Sequence, residues 1–206
     1  SDMAGAAAVI GAMAAVAELG LDVHVSAWLP IAENMPGGSA QRPGDVITAA
    51  DGTTIEVVNT DAEGRLMLAD ALALAAREKP DLLVDIASLT GACLMALGWR
   101  MSGVMSNSDE ARDAVCATAS EAGEAVWPMP LPGELRSLLD STVADIANIG
   151  QRPAALLTAG LFLKEFVPDG QPWVHIDMAG PSFNESSAYG YVPVGGTGSG
   201  VRTPAT

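Results

Sequence analysis

The residues that invite chemistry cluster in one short run, Asn59-Thr60-Asp61-Ala62-Glu63-Gly64-Arg65-Leu66. Asp61 and Glu63 stand two positions apart, and Gly64 allows the backbone to turn so that both carboxylates aim at one point. Converging carboxylates repel each other unless a cation lies between them. An oxygen-rich set of this kind suits Mg, Mn or Zn. Arg65 adds a fixed charge able to hold a carboxylate or carbonate in a bidentate fork. The same residues admit a plainer reading: acids at a helix start that match its dipole, with Arg65 paired on the surface.

The flanking elements must place this run. Thr54 to Val58 reads as a strand, joined to Val46–Thr48 through Asp51-Gly52, a strong hairpin signal. Arg65 to Lys79 reads as a helix stopped by Pro80. Strand, acidic turn and helix in that order put the run at a strand end, where α/β sheets bind ligands. Before it, Gly5 to Leu19 is apolar on every side and reads as a buried helix ended by Gly20. Leu21 to Leu29 alternates Val23, Val25, Ala27 and Leu29, a strand pattern. Pro30 to Asp45 is a long loop, a length often reserved for function.

After the run, Leu82 to Ile86 reads as a buried strand, and Ser88 to Gly98 fits strand or helix equally. Ser108 opens a helix to about Glu121, with Asp109 and Glu110 matching its dipole. Trp127 to Pro132 reads as a loop, Pro153 as the start of a helix ending near Phe166, and Trp173 to Asp177 as a short strand. Gly195 to Gly200 reads as a flexible tail. The alternation predicts an α/β fold, a mixed central sheet with helices on both faces.

Composition narrows the function classes. The chain has 206 residues and a net charge of −15, with 49% apolar and 17% charged residues. Such a chain carries ample core material. Nucleic acid is a poor partner, since phosphates would meet an acidic surface. No apolar run reaches the roughly 18 residues of a membrane span. Two cysteines, Cys93 and Cys116, read as buried thiols in a reducing compartment, and Cys93 has no basic neighbour to activate it. His24 and His175 lack ligand spacing and read as core histidines. Asp177 reads as structural or as orienting the segment after it. No serine has a His-Asp partner in the pattern, and Gly195–Gly200 lacks the Lys of a phosphate loop.

The run from Asn59 to Leu66 is identical to the signature of the leucyl (cytosol) aminopeptidases, two-metal peptidases that remove N-terminal residues. Further motifs resemble that family in the family's order: Ser1-Asp2-Met3, Glu33-Asn-Met-Pro36, Arg42-Pro-Gly-Asp45, Leu89-Thr-Gly-Ala92, Ala144 to Asn148 and His175 to Gly180. The resemblance implies specific roles. Asp2 would bind one metal ion, Asp61 the other, and Glu63 would bridge both. The ions would be Mn or Zn. Arg65 would hold a bicarbonate acting as general base. Leu89 and Gly91 would offer backbone hydrogen bonds, and Ser88, Gly91, Ala179 and Ser182 would line the pocket for the first side chain.

Peptide substrates, often with N-terminal Leu, a cytoplasmic location and a hexameric assembly are implied with it. The family pattern also has a metal-binding Lys, a bridging Asp and a catalytic Lys upstream of the position of Asp2. Lys79 and Lys164, the chain's lysines, do not fit those places. By this resemblance, residues 1–206 are a catalytic domain cut at both ends, without the family's N-terminal domain and inactive alone. The competing expectation is an α/β scaffold or assembly subunit that keeps the fold without the reaction.

Overall fold

A computed structural model describes residues 1–205. Helix α1 (Ala4–Leu19) stops at Gly20, whose φ of 63° is the left-handed cap that the sequence suggested. Contrary to the reading from its composition, it is not buried all round. Gly5, Ala8 and Ala12 are buried, whereas Ile10 is 54% exposed. The stripe of small residues explains the difference. A Cβ on Gly5 would stand 2.2 Å from the Ile86 carbonyl oxygen, so α1 approaches the sheet along that stripe alone.

The strand expected at Leu21 to Leu29 does not form. Residues 21–36 run without regular structure, and Val23 and Val25 are exposed. Alternation describes which face a strand would bury. The strand itself needs a neighbour to complete its hydrogen bonds, and no described segment pairs with it. The loop from Pro30 to Asp45 is as expected.

Strands β1 (Val46–Thr48) and β2 (Thr54–Glu56) form the hairpin around Asp51-Gly52. Gly52 has a φ of 98°, and the Asp51 carboxylate accepts from the Thr53 amide at 2.9 Å. Helix α2 (Gly64–Ala75) follows, tightens into a 3₁₀ turn and ends at Lys79. Next come β3 (Leu83–Ala87), α3 (Gly91–Leu97), β4 (Ser102–Ser106) and α4 (Asp109–Glu121). The ambiguous stretch from Ser88 to Gly98 thus resolves as a loop and a short helix, because Thr90 caps it by accepting from the Cys93 amide. Ser108 caps α4 in the same way.

The chain continues through β5 (Val126–Pro128), a 3₁₀ turn, β6 (Ile146–Ala147), α5 (Ala155–Lys164), β7 (Trp173–Asp177), β8 (Phe183–Asn184), β9 (Gly195–Gly196) and α6 (Arg202–Ala205). Three sequence readings shift here. Trp127 and Pro128 join a strand rather than a loop, on a sheet edge where proline is tolerated. Helix α5 starts two residues after Pro153, because Ala154 takes a φ of 61° and cannot begin it. Gly195–Gly200 is not a free tail: β9 pairs with β8, and a Cβ on Gly200 would stand 2.3 Å from the Ile86 side chain.

The main sheet has the order β3-β7-β4-β5. The β3–β7 and β4–β5 pairs are parallel and β7–β4 is antiparallel. A smaller sheet joins β6 to β2 in parallel beside the hairpin. Ala8 of α1 packs with Ile86, Val104, Val174 and Ile176, against Ala111 and Val115 of α4. Leu66, Ala69 and Leu72 of α2 pack with Leu161 and Phe162 of α5 and with Trp173. The mixed central sheet with helices on both faces is therefore as the sequence predicted.

Candidate active site

Arg65 is the best-defined group of the predicted cluster. It sits in the first turn of α2, and its burial contradicts the plainer reading of a surface-paired arginine. It is 7% exposed and has no ion pair among the described residues. Its Nη1 donates to the Asn148 carbonyl at 2.7 Å, the Phe162 ring lies 5.9 Å from its guanidinium carbon, and its Nε is buried without a partner. Burial pulls its pKa down to about 10, opposed by the charge of Asp177.

Asn148 shapes the turn that carries the acids. It is fully buried, placed by β6 alongside β2, where its amide donates to the Glu56 carbonyl. Its Oδ1 accepts from the amides of Val58 and Asn59, and its Nδ2 donates to the Asn59 carbonyl at 2.7 Å. The Asn59 side chain in turn accepts from the Asp61 amide at 3.0 Å. The backbone from Val58 to Ala62 is thereby wrapped around one buried amide group.

Glu63 has one buried carboxylate oxygen, Oε2, without a hydrogen-bond partner. Burial raises its pKa, and the charges of Asp2 and Asp61 raise it further, against a hydrogen bond from Asn34. The three acids are thus close enough to act on one another. They do not enclose a metal by themselves: among the described residues no three His, Cys, Asp or Glu side chains form such a group. An unpartnered carboxylate oxygen that feels the charges of two further carboxylates is the type of oxygen ligand that a hard divalent cation takes.

The predicted pocket residues come together. Ser88 hydroxyl lies 3.4 Å from the Ser1 carbonyl, which brings the chain start to the loop after β3. A cavity of about 270 Å³ is lined by Asp2, Ser88, Gly91, Ala179 and Ser182. Ser1, Leu94, Trp99, Gly180, Phe183 and Glu185 complete its wall. Leu89 is not in the lining. Its amide donates to Asp177 at 3.2 Å. A larger cavity of about 400 Å³ at Asn107, Lys164 and Asp169 holds none of the predicted residues.

Sequence reasoning assigned no role to Asn148, Thr90 or Asp85. Asp85 had a legible signal: a lone acid inside an apolar strand must have a partner. It accepts from Trp173 Nε1 at 2.6 Å and pairs with His175 Nδ1 at 2.5 Å. His175 is a core histidine, as expected, whereas His24, also read as a core histidine, is exposed, because the strand that would have buried it does not form. Cys93 is buried, with its thiol pushed up to about 12 by burial, in keeping with an inert role.

Comparison with known proteins identifies the family. Residues 1–204 match the model of the cytosol aminopeptidase family, catalytic domain. A probable cytosol aminopeptidase of Streptomyces avermitilis is 59% identical over 202 residues, 98% of this chain and 39% of that protein. One from Mycobacterium leprae is 57% identical over 204 residues, again 98% of this chain and 39% of the relative. Among solved structures, the bottromycin maturation enzyme BotP superposes with a TM-score of 0.91 at 44% identity, covering 98% of this chain and 45% of BotP. A complex of BotP with Mn gives 0.90. A tomato leucine aminopeptidase mutant gives 0.89 at 39% identity, covering 98% and 39%. The chain therefore spans about two-fifths of the length of the curated relatives it matches. With a family model that matches residues 1–204 and relatives nearly 60% identical, the chain belongs to the cytosol aminopeptidase family, whose catalytic-domain fold it carries.

Proposed function

We propose that the protein bearing this chain is a metal-dependent aminopeptidase that removes N-terminal residues, with Leu among its substrates. The observation that carries the reading is the meeting of Asp2, Ser88, Gly91, Ala179 and Ser182 around one cavity, beside Glu63 with its orphaned carboxylate oxygen. Asp2, Asp61 and Glu63 would hold two divalent ions, Mn or Zn. Such ions, when bound, supply Lewis acidity toward the scissile carbonyl and a docking point for the free amino group. The chain's own residues do the rest. Arg65, buried in the first turn of α2, would hold a bicarbonate through donors that the Asn148 carbonyl does not occupy, and that anion would act as general base. The fixed positive charge of Arg65 also favours the negative charge that develops on the reacting carbonyl. The Leu89 carbonyl and Gly91 amide orient the peptide backbone. Ser88, Gly91, Ala179 and Ser182 receive the first side chain.

The family's hexamer and cytosolic location carry over as part of the same proposal. No described helix is long and apolar enough to cross a membrane. A non-catalytic scaffold is the competing reading, drawn from the lack of a self-sufficient metal group among the described residues. Hydrolysis of Leu-p-nitroanilide with added Mn separates the two, on this chain and on the longest natural polypeptide that contains it. Activity in the longer protein that is lost in Glu63→Gln and Arg65→Met supports the aminopeptidase. No activity in either, with Mn bound, supports the scaffold.

A further inference from the structure

The pocket has two walls from distant parts of the chain. Ser88 and Gly91 come from the loop between β3 and α3, and Ala179 and Ser182 from the turn after β7. Asp177, the last residue of β7, is fully buried between them. Its Oδ1 accepts from the amides of Leu89 at 3.2 Å, Thr90 at 3.4 Å and Ala179 at 3.1 Å. Its Oδ2 accepts from the Thr90 hydroxyl at 2.7 Å. The Thr90 hydroxyl also accepts from the Cys93 amide, so the same carboxylate orients the cap of α3.

We propose that Asp177 is a positioning residue that sets the width of the first-side-chain pocket by fastening its two walls together. The proposal rests on the aminopeptidase reading and assigns Asp177 no contact with substrate. One carboxylate oxygen collects amides from both walls, so the spacing of Gly91 from Ala179 follows from its position. The turn after β7 also meets the end of α3 at the pocket lining, where a Cβ on Gly180 would stand 2.2 Å from the Gly98 carbonyl oxygen. That close approach fixes the outer rim, and Asp177 fixes the base. Removing the carboxylate leaves three amides, one buried and two partly buried, to seek other partners, and the base opens. An opened pocket discriminates poorly between a side chain that fills it and one that does not.

The test compares Asp177→Ala and Asp177→Asn in the longest natural polypeptide that contains the chain. The readout is the ratio of kcat/KM for Leu-p-nitroanilide to that for Ala-p-nitroanilide, which is independent of the folded fraction. Asp177→Asn keeps an oxygen for the three amides, and its ratio should stay within about twofold of the wild type. Asp177→Ala should lose roughly tenfold of the discrimination, within the range that small differences in side-chain fit command. If Asp177→Ala does not fold, Thr90→Val removes the hydroxyl arm together with the cap it gives α3, keeps the Asp177 bonds to the three amides, and should lower the ratio by a smaller factor. Amide hydrogen exchange at Leu89, Thr90 and Ala179 should be slow in the wild type and fast in Asp177→Ala. An active variant with an unchanged Leu-to-Ala ratio overturns the clasp while leaving the aminopeptidase reading intact. A wild type that cleaves neither substrate overturns the aminopeptidase reading and the clasp with it.

Discussion

Replacing Asp85 with Ala tests the account of the buried polar core most directly. Asp85 is 7% exposed and holds two donors, Trp173 Nε1 and His175 Nδ1. The substitution leaves both without a partner in a region that excludes water. Breaking a buried pair by removing one member costs about 3–5 kcal/mol. For a chain of this size each kcal/mol moves the midpoint by about 2–4 °C, so a fall of roughly 6–20 °C is expected. Urea denaturation followed by tryptophan fluorescence reads the change. The loss should also depend on pH. Burial lowers the pKa of His175, but the charge and hydrogen bond of Asp85 more than offset this and leave it raised; Asp177 adds to the rise and Arg65 opposes it. A raised histidine contributes stability that is fully present below its unfolded value of about 6.5 and fades as pH climbs through the folded value. The gap between wild type and Asp85→Ala should therefore be wider at pH 6 than at pH 9. A loss below about 0.5 kcal/mol, as at an ordinary surface site, refutes the reasoning. So does a loss that does not change with pH.

Gly180→Ala places a Cβ 2.2 Å from a backbone oxygen, and should cost about 1–3 kcal/mol in denaturation. Gly133→Ala meets nothing within 4 Å and should be neutral or slightly stabilising under the same assay. Asn148→Ala removes the group around which Val58 to Ala62 is wrapped. It should cost about 3 kcal/mol or more through orphaned backbone groups, with faster amide exchange at Val58 and Asn59. Native-state thiol titration should label Cys116, which is partly exposed, and reach Cys93 only on unfolding.

The sequence announced the elements whose signals are local. Asp51-Gly52 marked its hairpin, Ser108 its helix start, and the alternation of helix and strand the layered fold. The cluster at Asp61, Glu63 and Arg65 was legible because three reactive side chains in five positions need little tertiary context. Burial of Arg65 was not legible, since it depends on β6 and α5 arriving from more than eighty residues away. The strand expected at Leu21 failed for the opposite reason: its local pattern is right, but pairing is a property of two segments. Leu89 was named for its backbone, and only the fold shows that Asp177 occupies its amide. The role of Asn148 was hidden for the same cause, because its partners lie 86 to 90 positions away.

Strand β7 shows how function can enforce a fold. It is buried on both sides along its whole length. Trp173, His175 and Asp177 point one way, and Val174 and Ile176 point the other, into the cluster with Ala8 and Val104. A slip of one residue against β3 and β4 would exchange the two sets. His175 and Asp177 would then enter an apolar cluster that offers them no partner, and the valine and isoleucine would face Asp85 with nothing to donate. Most fully buried strands are apolar throughout and tolerate such a slip more cheaply. Here the polar groups of β7 act as a proofreading device for strand alignment during folding, because only one register gives them partners. Replacing them with apolar residues could spare the desolvation of charge yet weaken the distinction between the right register and its nearest rival.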